Sequence, residues 1–199
     1  MARAEEIQEI RAGLYFWQAY EPAVKVDLSC CARRTARGLV LINPIPLAKP
    51  ALEELISEGP LAAIVLTGGN HTRAAAEYRQ RFSIPIYAHA GAVAELGIPV
   101  DHLVGEGETV VDELTAVTLP GSTPGEIALH GHDTWHLGDA LTHLPPMGFS
   151  LLPDKYCDDP KELRRSVEKL LRFPFEVLTF AHGLPIVARA RQRLAQLLA

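Results

Sequence analysis

In the first half of the chain, short apolar runs alternate with amphipathic segments. The runs GLYFWQAY, AVKVDLSC, GLVLINP, LAAIVLT and IPIYAHA are rich in aromatic and β-branched residues, which predicts strands. In LAKPALEELISEG the leucines and the isoleucine fall near one helical face, and Gly59-Pro60 ends the segment. An alanine-rich segment at residues 72–82 predicts a second helix. The order predicts strand–helix–strand crossovers in a mixed sheet.

The pattern changes in the second half of the chain. Residues 105–139 form short alternating segments separated by turn residues, which is typical of an antiparallel meander. Asp159, Pro160 and Glu162 stand in the order of a capped helix start, so DPKELRRSVEKLLRF predicts a helix. A strand, FEVLTFAHG, and a C-terminal helix, VARARQRLAQLLA, follow. No linker, repeat or low-complexity segment is visible, so we expect one domain over residues 1–199.

Composition narrows the class of protein. The chain has 199 residues, of which 48% are hydrophobic, so it can bury a sizeable core. Its formal net charge of −5 and scattered basic residues argue against a nucleic-acid partner. The sequence has no run of about 18 apolar residues and no signal-peptide pattern, so we expect no membrane span and a cytoplasmic location. The spacing of the three cysteines suggests neither a disulfide framework nor a zinc knuckle.

Several segments together resemble one known family. GLVLINP, AAIVLTGGNHTR, IPIYAH, LPGSTPGEIAL, HLGDAL and FAHGLPI, in this order and at these intervals, resemble the metallo-β-lactamase superfamily, which includes glyoxalase II. The resemblance covers nearly the whole chain. It implies an α/β (α+β) fold, specifically a four-layer αββα sandwich. It also implies a two-metal hydrolytic centre at one edge, on loops that follow the strands.

Most of the family's metal-ligand positions hold other residues in this chain. In the family, the strand that corresponds to IVLT leads into Thr-His-x-His-x-Asp-His, and a later histidine lies in Pro-Gly-His-Thr-Pro-Gly. These five ligand positions fall on Gly68, Asn70, Thr72, Arg73 and Ser122. None of the five is a usual ligand in that family, so the resemblance implies that the standard dinuclear site is missing.

Two of the seven family ligands remain. Asp139 in LGDAL matches the bridging aspartate, and His182 in AHG matches the last histidine. A hydrolytic zinc needs about three protein ligands and one open position, and one carboxylate with one imidazole does not meet that need. We therefore expect no bound metal cofactor. The alternative is zinc or iron held by Asp139, His182 and His71.

Other histidines are candidates to replace the missing ligands. His71 lies beside the altered motif, and we interpret it as a polar residue of the pocket. His89 is either similar or a strand-end histidine that is hydrogen-bonded to backbone. LHGHDTWH contains three histidines, at residues 130, 132 and 136, but its Asp133 and His136 are out of register with the family motif, and Gly131-His132-Asp133 predicts a hairpin turn. We assign these three to a surface turn.

Two further candidate pocket residues have simple structural interpretations. Gly68-Gly69-Asn70 precedes a predicted helix and is able to present backbone N–H groups to an anion, but a tight turn in which Asn70 caps the helix explains it better. Ser122 lacks the surroundings of a nucleophile elbow, so we interpret it as a turn serine.

Among the altered positions, Arg73 allows the most specific prediction. It replaces a histidine that in the family shares a metal with the counterparts of Asp139 and His182. A buried carboxylate without a metal needs a positive partner, so we predict that the Arg73 guanidinium hydrogen-bonds to Asp139. The alternative is a solvent-facing arginine on the first turn of a helix.

Two classes of function are compatible with these residues. The missing ligands favour a metal-depleted, non-catalytic relative whose edge pocket binds a small molecule. The alternative is a metal-dependent hydrolase of an ester, thioester or lactam, with a ligand set assembled from Asp139, His182 and one or both of His71 and His89. A homo-oligomer is compatible with either class.

Overall fold

Two β-sheets form the framework of the computed structural model, which describes residues 1–111 and 113–199. In this part of the chain the first sheet has seven strands: β1 (Gln8–Arg11), β2 (Leu14–Glu21), β3 (Val26–Thr35), β4 (Gly38–Ile42), β5 (Leu61–Leu66), β6 (Ile86–Ala88) and β7 (His102–Leu103). The strands lie side by side in chain order. The pairs from β1 to β4 are antiparallel and those from β4 to β7 are parallel.

The second sheet and a separate hairpin come from the later part of the chain. Their described strands are β8 (Thr109–Val110), β9 (Leu114–Thr118), β10 (Ile127–Gly131), β11 (Thr134–His136), β12 (Leu141–Leu144), β13 (Gly148–Leu151) and β14 (Val177–Thr179). The sheet order is β14-β11-β10-β9-β8, and β12 pairs with β13. Strands β8 to β11 are antiparallel, which confirms the meander predicted over residues 105–139. Asp112 lies outside the described residues.

The α-helices of the described residues lie between these strands and at the C-terminus. They are α1 (Lys49–Ser57), α2 (Ala75–Phe82), α3 (Val93–Leu96), α4 (Pro160–Glu168) and α5 (Ala190–Leu198). The first three are the connections between the parallel strands, so the predicted crossovers are confirmed. Helix α2 begins three residues later than the predicted segment 72–82, because Arg73 has a positive φ of 39° that no helix admits.

Side chains alternate between two apolar layers along each central strand. In β4, Leu39 and Leu41 pack with α1 and α2 on the outer face of the first sheet, while Val40 and Ile42 face the second sheet. Helices α4 and α5 cover the other face of the second sheet, where Trp135 is fully buried. The layers are therefore helix, sheet, sheet and helix, which confirms the predicted αββα sandwich.

In the described part of the chain, no helix has both the length and the apolar character that a membrane crossing requires.

The start of α4 provides a direct test of the capping prediction. The Asp159 carboxylate accepts hydrogen bonds from the backbone N–H groups of Lys161 and Glu162, at 2.9 and 3.0 Å. We expect Asp159→Ala to lower the free energy of unfolding by about 1 kcal/mol, because two helix N–H groups lose their acceptor. Urea unfolding measures this. The neighbouring exposed Asp158 is the control, and an equal loss in Asp158→Ala would contradict the cap.

Candidate active site

Three side chains with metal-ligating atoms meet at one edge of the sandwich. Nε2 of His71 lies 3.2 Å from Oδ1 of Asp139, and Nε2 of His182 lies 3.3 Å from the same oxygen. Among the described residues, these three form the one group of histidine, cysteine and acidic side chains close enough to hold a metal ion, with ligand atoms within 4.8 Å of one another. The cluster is largely shielded from solvent, since His71 is 1% exposed and Asp139 is 7% exposed.

The sheet topology brings Asp139 and His182 together. Strands β11 and β14 pair in parallel, so their carboxyl ends lie at the same edge. Asp139 and His182 each follow the end of their strand by three residues, at 136 and 179. The prediction that these two residues share one edge although they are 43 positions apart is therefore confirmed.

His71 reaches the same edge from the first sheet. It belongs to the loop after β5, whose end is joined to the second sheet by a hydrogen bond from the Ile127 N–H to the Thr67 carbonyl, at 2.9 Å. The expectation that two ligand-type residues survive is thus incomplete. His71 is a third one, one position beyond the altered Asn70.

Hydrogen bonds on the far side of each imidazole fix its orientation. His182 Nδ1 lies 3.0 Å from the Asp27 carbonyl, which is only an acceptor, so Nδ1 carries the proton and Nε2 faces Asp139. His71 Nδ1 lies 3.3 Å from the Thr67 hydroxyl, which itself accepts a hydrogen bond from the Asn43 amide at 2.7 Å. Both rings therefore direct Nε2 into the cluster.

Asn70 completes the surroundings of the carboxylate. Its amide nitrogen donates to Oδ2 of Asp139 at 2.7 Å. The interpretation of Asn70 as a helix cap is therefore wrong: α2 begins after Ala74, and no side chain caps it. Asn70 donates to Asp139 instead, beside the contacts of His71 and His182.

The electrostatics of the cluster follow from burial and from these contacts. Burial by itself would raise the pKa of Asp139, but the charge interaction with His71 and the hydrogen bond with His182 outweigh it and hold this pKa well below its usual range. Burial lowers the pKa of His71 by more than the Asp139 carboxylate raises it. The cluster therefore has an ionised carboxylate beside a neutral His71 imidazole near neutral pH.

Arg73 is half-buried near the cluster but does not bind Asp139, so the predicted contact is wrong. Its Nη1 donates to the carbonyls of Ser29 and Asn43 at 2.7 and 3.2 Å, and Nη2 donates to the Ala181 carbonyl at 3.0 Å. The alternative of a solvent-facing arginine is wrong as well. The guanidinium ties β3, the end of β4 and the residue before His182 together.

Ser122 lies beneath the site and does not line its cavity. It is fully buried, and its hydroxyl contacts the carboxyl of Glu126, which is also buried. The other Glu126 oxygen accepts the N–H of Ala140, the residue after Asp139, at 2.6 Å. Burial and the nearby Asp139 charge raise the pKa of Glu126 to about 8. Ser122 and Glu126 therefore hold the Asp139 loop from below.

Glu126 is a site residue that the sequence analysis missed. The sequence contains a signal for this residue. In PGSTPGE an acidic residue lies four positions after the serine that replaces a histidine, directly before β10. A Cβ on Gly138 would lie 2.7 Å from the Thr67 hydroxyl and 3.0 Å from the Glu126 carboxyl. The loop that carries Asp139 is thus packed against both residues.

The remaining histidine candidates lie elsewhere. His89 caps a short 3-10 turn by accepting the N–H of Gly91 at 3.1 Å, which agrees with the backbone-bonded interpretation and not with a role in the pocket. His130 contacts the Pro174 carbonyl, and His132 lies on the predicted hairpin turn. His136 is not a surface residue: it is fully buried and contacts Thr179 and Cys31 between the sheets.

The cluster opens into a cavity of about 840 Å³. Asn70, His71, Arg73, Asp139 and His182 contribute to its polar end, and most of the other lining residues are apolar. Of the predicted pocket residues, these five line the cavity, whereas His89 and Ser122 do not.

The residues fit one metal ion and not two. The donor set of two imidazoles and one carboxylate is common for zinc and iron, and bonds of about 2.0–2.1 Å in a tetrahedron separate ligand atoms by about 3.4 Å. The separations of 3.2 and 3.3 Å from Oδ1 of Asp139 to the two Nε2 atoms agree with this, and all three ligand atoms lie within 4.8 Å of one another. A second ion lacks ligands, because Gly68, Thr72 and Ser122 provide none and the Arg73 guanidinium is a cation.

The αββα sandwich with this edge cluster defines the class of protein. The family model described as the metallo-beta-lactamase superfamily matches residues 8–199. The chain belongs to the metallo-β-lactamase superfamily, as the resemblance of its motifs implied.

Solved structures of this family have the same fold. The DIM-1 metallo-β-lactamase is similar to 98% of this chain over 98% of its own length, with a TM-score of 0.76 and 14% identity. TTHA1623, solved in a di-iron-bound form, is similar over 86% of this chain and 94% of its own, with a TM-score of 0.67 and 25% identity.

A sequence relative has the name of a hydrolase. The hydroxyacylglutathione hydrolase of Nitrosomonas europaea is 35% identical over 77 residues, which are 36% of this chain and 28% of that protein. The match thus spans less than a third of that relative's length.

The three carbonyl contacts of Arg73 should matter for stability. We expect Arg73→Ala to lower the free energy of unfolding by roughly 2–4 kcal/mol, because buried carbonyls lose their donors. Arg73→Lys should recover little, since one ammonium group does not replace a planar fork. The control is Arg81→Lys, on the exposed side of α2. Urea unfolding measures all three, and equal losses in Arg73→Lys and Arg81→Lys would exclude the tie.

The raised pKa of Glu126 should make its contribution to stability depend on pH. The folded protein favours the protonated carboxyl, so its contribution is complete below the ordinary pKa of 4.5 and is lost as the pH rises through about 8. Relative to Glu126→Gln, which is neutral throughout, we expect the wild type to lose roughly 1–3 kcal/mol between pH 5 and 8. Denaturant unfolding at several pH values measures this. The same comparison with the exposed Glu77→Gln should be flat.

Proposed function

We propose that the protein is a metal-dependent hydrolase that uses a single metal ion, zinc or iron, held by His71, Asp139 and His182. The observation that carries this proposal is the approach of both Nε2 atoms to Oδ1 of Asp139, at 3.2 and 3.3 Å. When bound, such an ion supplies Lewis acidity and a nucleophile at neutral pH.

The orientation of the ligand side chains supports the proposal. A metal-binding histidine usually donates its second ring N–H to a carbonyl or carboxylate, which directs the other nitrogen at the metal. His182 makes this contact with the Asp27 carbonyl. Relatives provide weaker support, because one is named as a hydrolase and another was solved with two irons.

Asn70 and the cavity would provide the contacts that bind a substrate. One N–H of the exposed Asn70 amide donates to Asp139, and the second remains for the carbonyl oxygen of an ester, thioester or lactam. Apolar walls line the cavity beyond this polar end. The cluster is thus placed to receive the reacting group while the cavity holds the rest of the molecule.

A second candidate function, metal-free binding of a small molecule, is favoured by one observation. Asn70, His71 and His182 together contact both oxygens of Asp139, so the carboxylate has partners without an ion. In that case the cluster is a fixed polar floor of a binding pocket.

Metal content separates the two functions. Protein purified without chelator should contain about one equivalent of zinc or iron by elemental analysis, and chelator-treated protein should take up one equivalent again. His71→Ala should lose at least about tenfold in metal affinity, because one of three protein ligands is removed. His89→Ala is the matched control, since this histidine lies outside the cluster.

Hydrolysis is measured on the same samples with a panel of uncharged esters and thioesters. We expect activity to follow metal content in the wild type and His89→Ala, and to fall in His71→Ala. Absence of metal from the wild type, or equal metal content in His71→Ala, would contradict the proposal and favour the metal-free binder.

A further inference from the structure

The cavity beside the cluster has two apolar walls that the proposed chemistry does not use. One wall comes from the turn between β2 and β3 and the start of β3, with Val24, Val26 and Leu28. The opposite wall comes from the β12–β13 hairpin and the loop after it, with Leu144 and Leu152. At about 840 Å³, the cavity has the size of sites for drug-sized molecules.

Charged groups in the lining are already engaged. The Glu21 carboxylate accepts the N–H groups of Ala2 and Ala23, which lower its pKa, so it stays ionised. The Met1 amino group lies 4.0 Å from this carboxylate. Arg73 directs both Nη atoms at backbone carbonyls. The described lining therefore presents the Glu21 carboxylate, and its cationic groups are already engaged by Glu21 and by backbone carbonyls.

We propose that the cavity selects uncharged carbonyl compounds with an apolar body of medium length, and discriminates against ligands that carry a carboxylate on that body. The carbonyl head would lie at Asn70 and the cluster, and the body between the two apolar walls. This inference names the substrate class of the proposed hydrolase, and in that respect it rests on the proposed function.

The physical basis is the cost of placing a charge between apolar walls. A methylene chain gains from leaving water, whereas a carboxylate in the same position loses its hydration and finds no free cation among the described lining residues. Glu21 at the cavity and the net charge of −5 repel it further. A glutathione conjugate, which carries carboxylates, should therefore bind poorly.

A matched pair of probes tests the inference. Octanamide and suberamic acid have the same amide head and the same number of carbons, but suberamic acid ends in a carboxylate. We expect octanamide to bind at least tenfold more tightly by calorimetry, and butanamide, which has a shorter body, to bind at least tenfold more weakly than octanamide. Equal affinities for octanamide and suberamic acid would overturn the inference.

A charge placed on the wall should change the preference. Val24 is 61% exposed and lines the cavity, so Val24→Lys should fold and improve suberamic acid binding by at least threefold. Val187 is 44% exposed and is not in the lining, so Val187→Lys should leave it unchanged. Improvement in both variants, or in neither, would contradict the inference.

The binding measurements are made on protein as purified and after chelator treatment. The preference for octanamide over suberamic acid should appear in the chelator-treated protein, because it comes from the walls. In the metal-bound protein the ion itself would attract the carboxylate of suberamic acid. Loss of metal and of hydrolysis with the preference intact would overturn only the proposed function. Bound metal in the protein as purified, with no preference after chelator treatment, would overturn only this inference.

Discussion

The burial of one carboxylate at the joint between the two sheets governs the architecture of this site. Asp139 is only 7% exposed, and an ionised carboxylate is stable there only if donors surround it. His71 comes from the first sheet, His182 from the second, and Asn70 from the same loop as His71. Because these polar partners come from different parts of the chain, the carboxylate joins segments that are distant in sequence.

The neighbouring contacts support this arrangement from two sides. Arg73 binds the carbonyls of Ser29, Asn43 and Ala181, and so holds the loop of His71 against the residue that precedes His182. Glu126 holds the N–H of Ala140 from beneath. Two positions at which the family carries metal ligands, 73 and 122, thus hold residues that fix the backbone around Asp139. These contacts keep the edge of the sandwich in place.

The cavity gives the site a character that the cluster alone does not have. Its polar end is small and its walls are largely apolar, so most of the contact with a ligand is hydrophobic while the cluster orients one polar group. In such a cavity the apolar part of a ligand would contribute most of the affinity, and its polar group would lie at the cluster. The fold permits it, because the loops at the sheet edge and the β12–β13 hairpin lie outside the core between the two sheets.

The sequence by itself determined most of the strands and helices, because their apolar periodicity is local. The resemblance of its motifs to the family implied the meeting of Asp139 with His182. The sequence did not determine the partners of Arg73, the role of Asn70 or the approach of His71. These depend on the direction of side chains in a loop whose backbone turns at a positive φ of 39°, and on contacts between residues 30 to 108 positions apart. Local pattern contains no information about such contacts, since they form only when the two sheets pack.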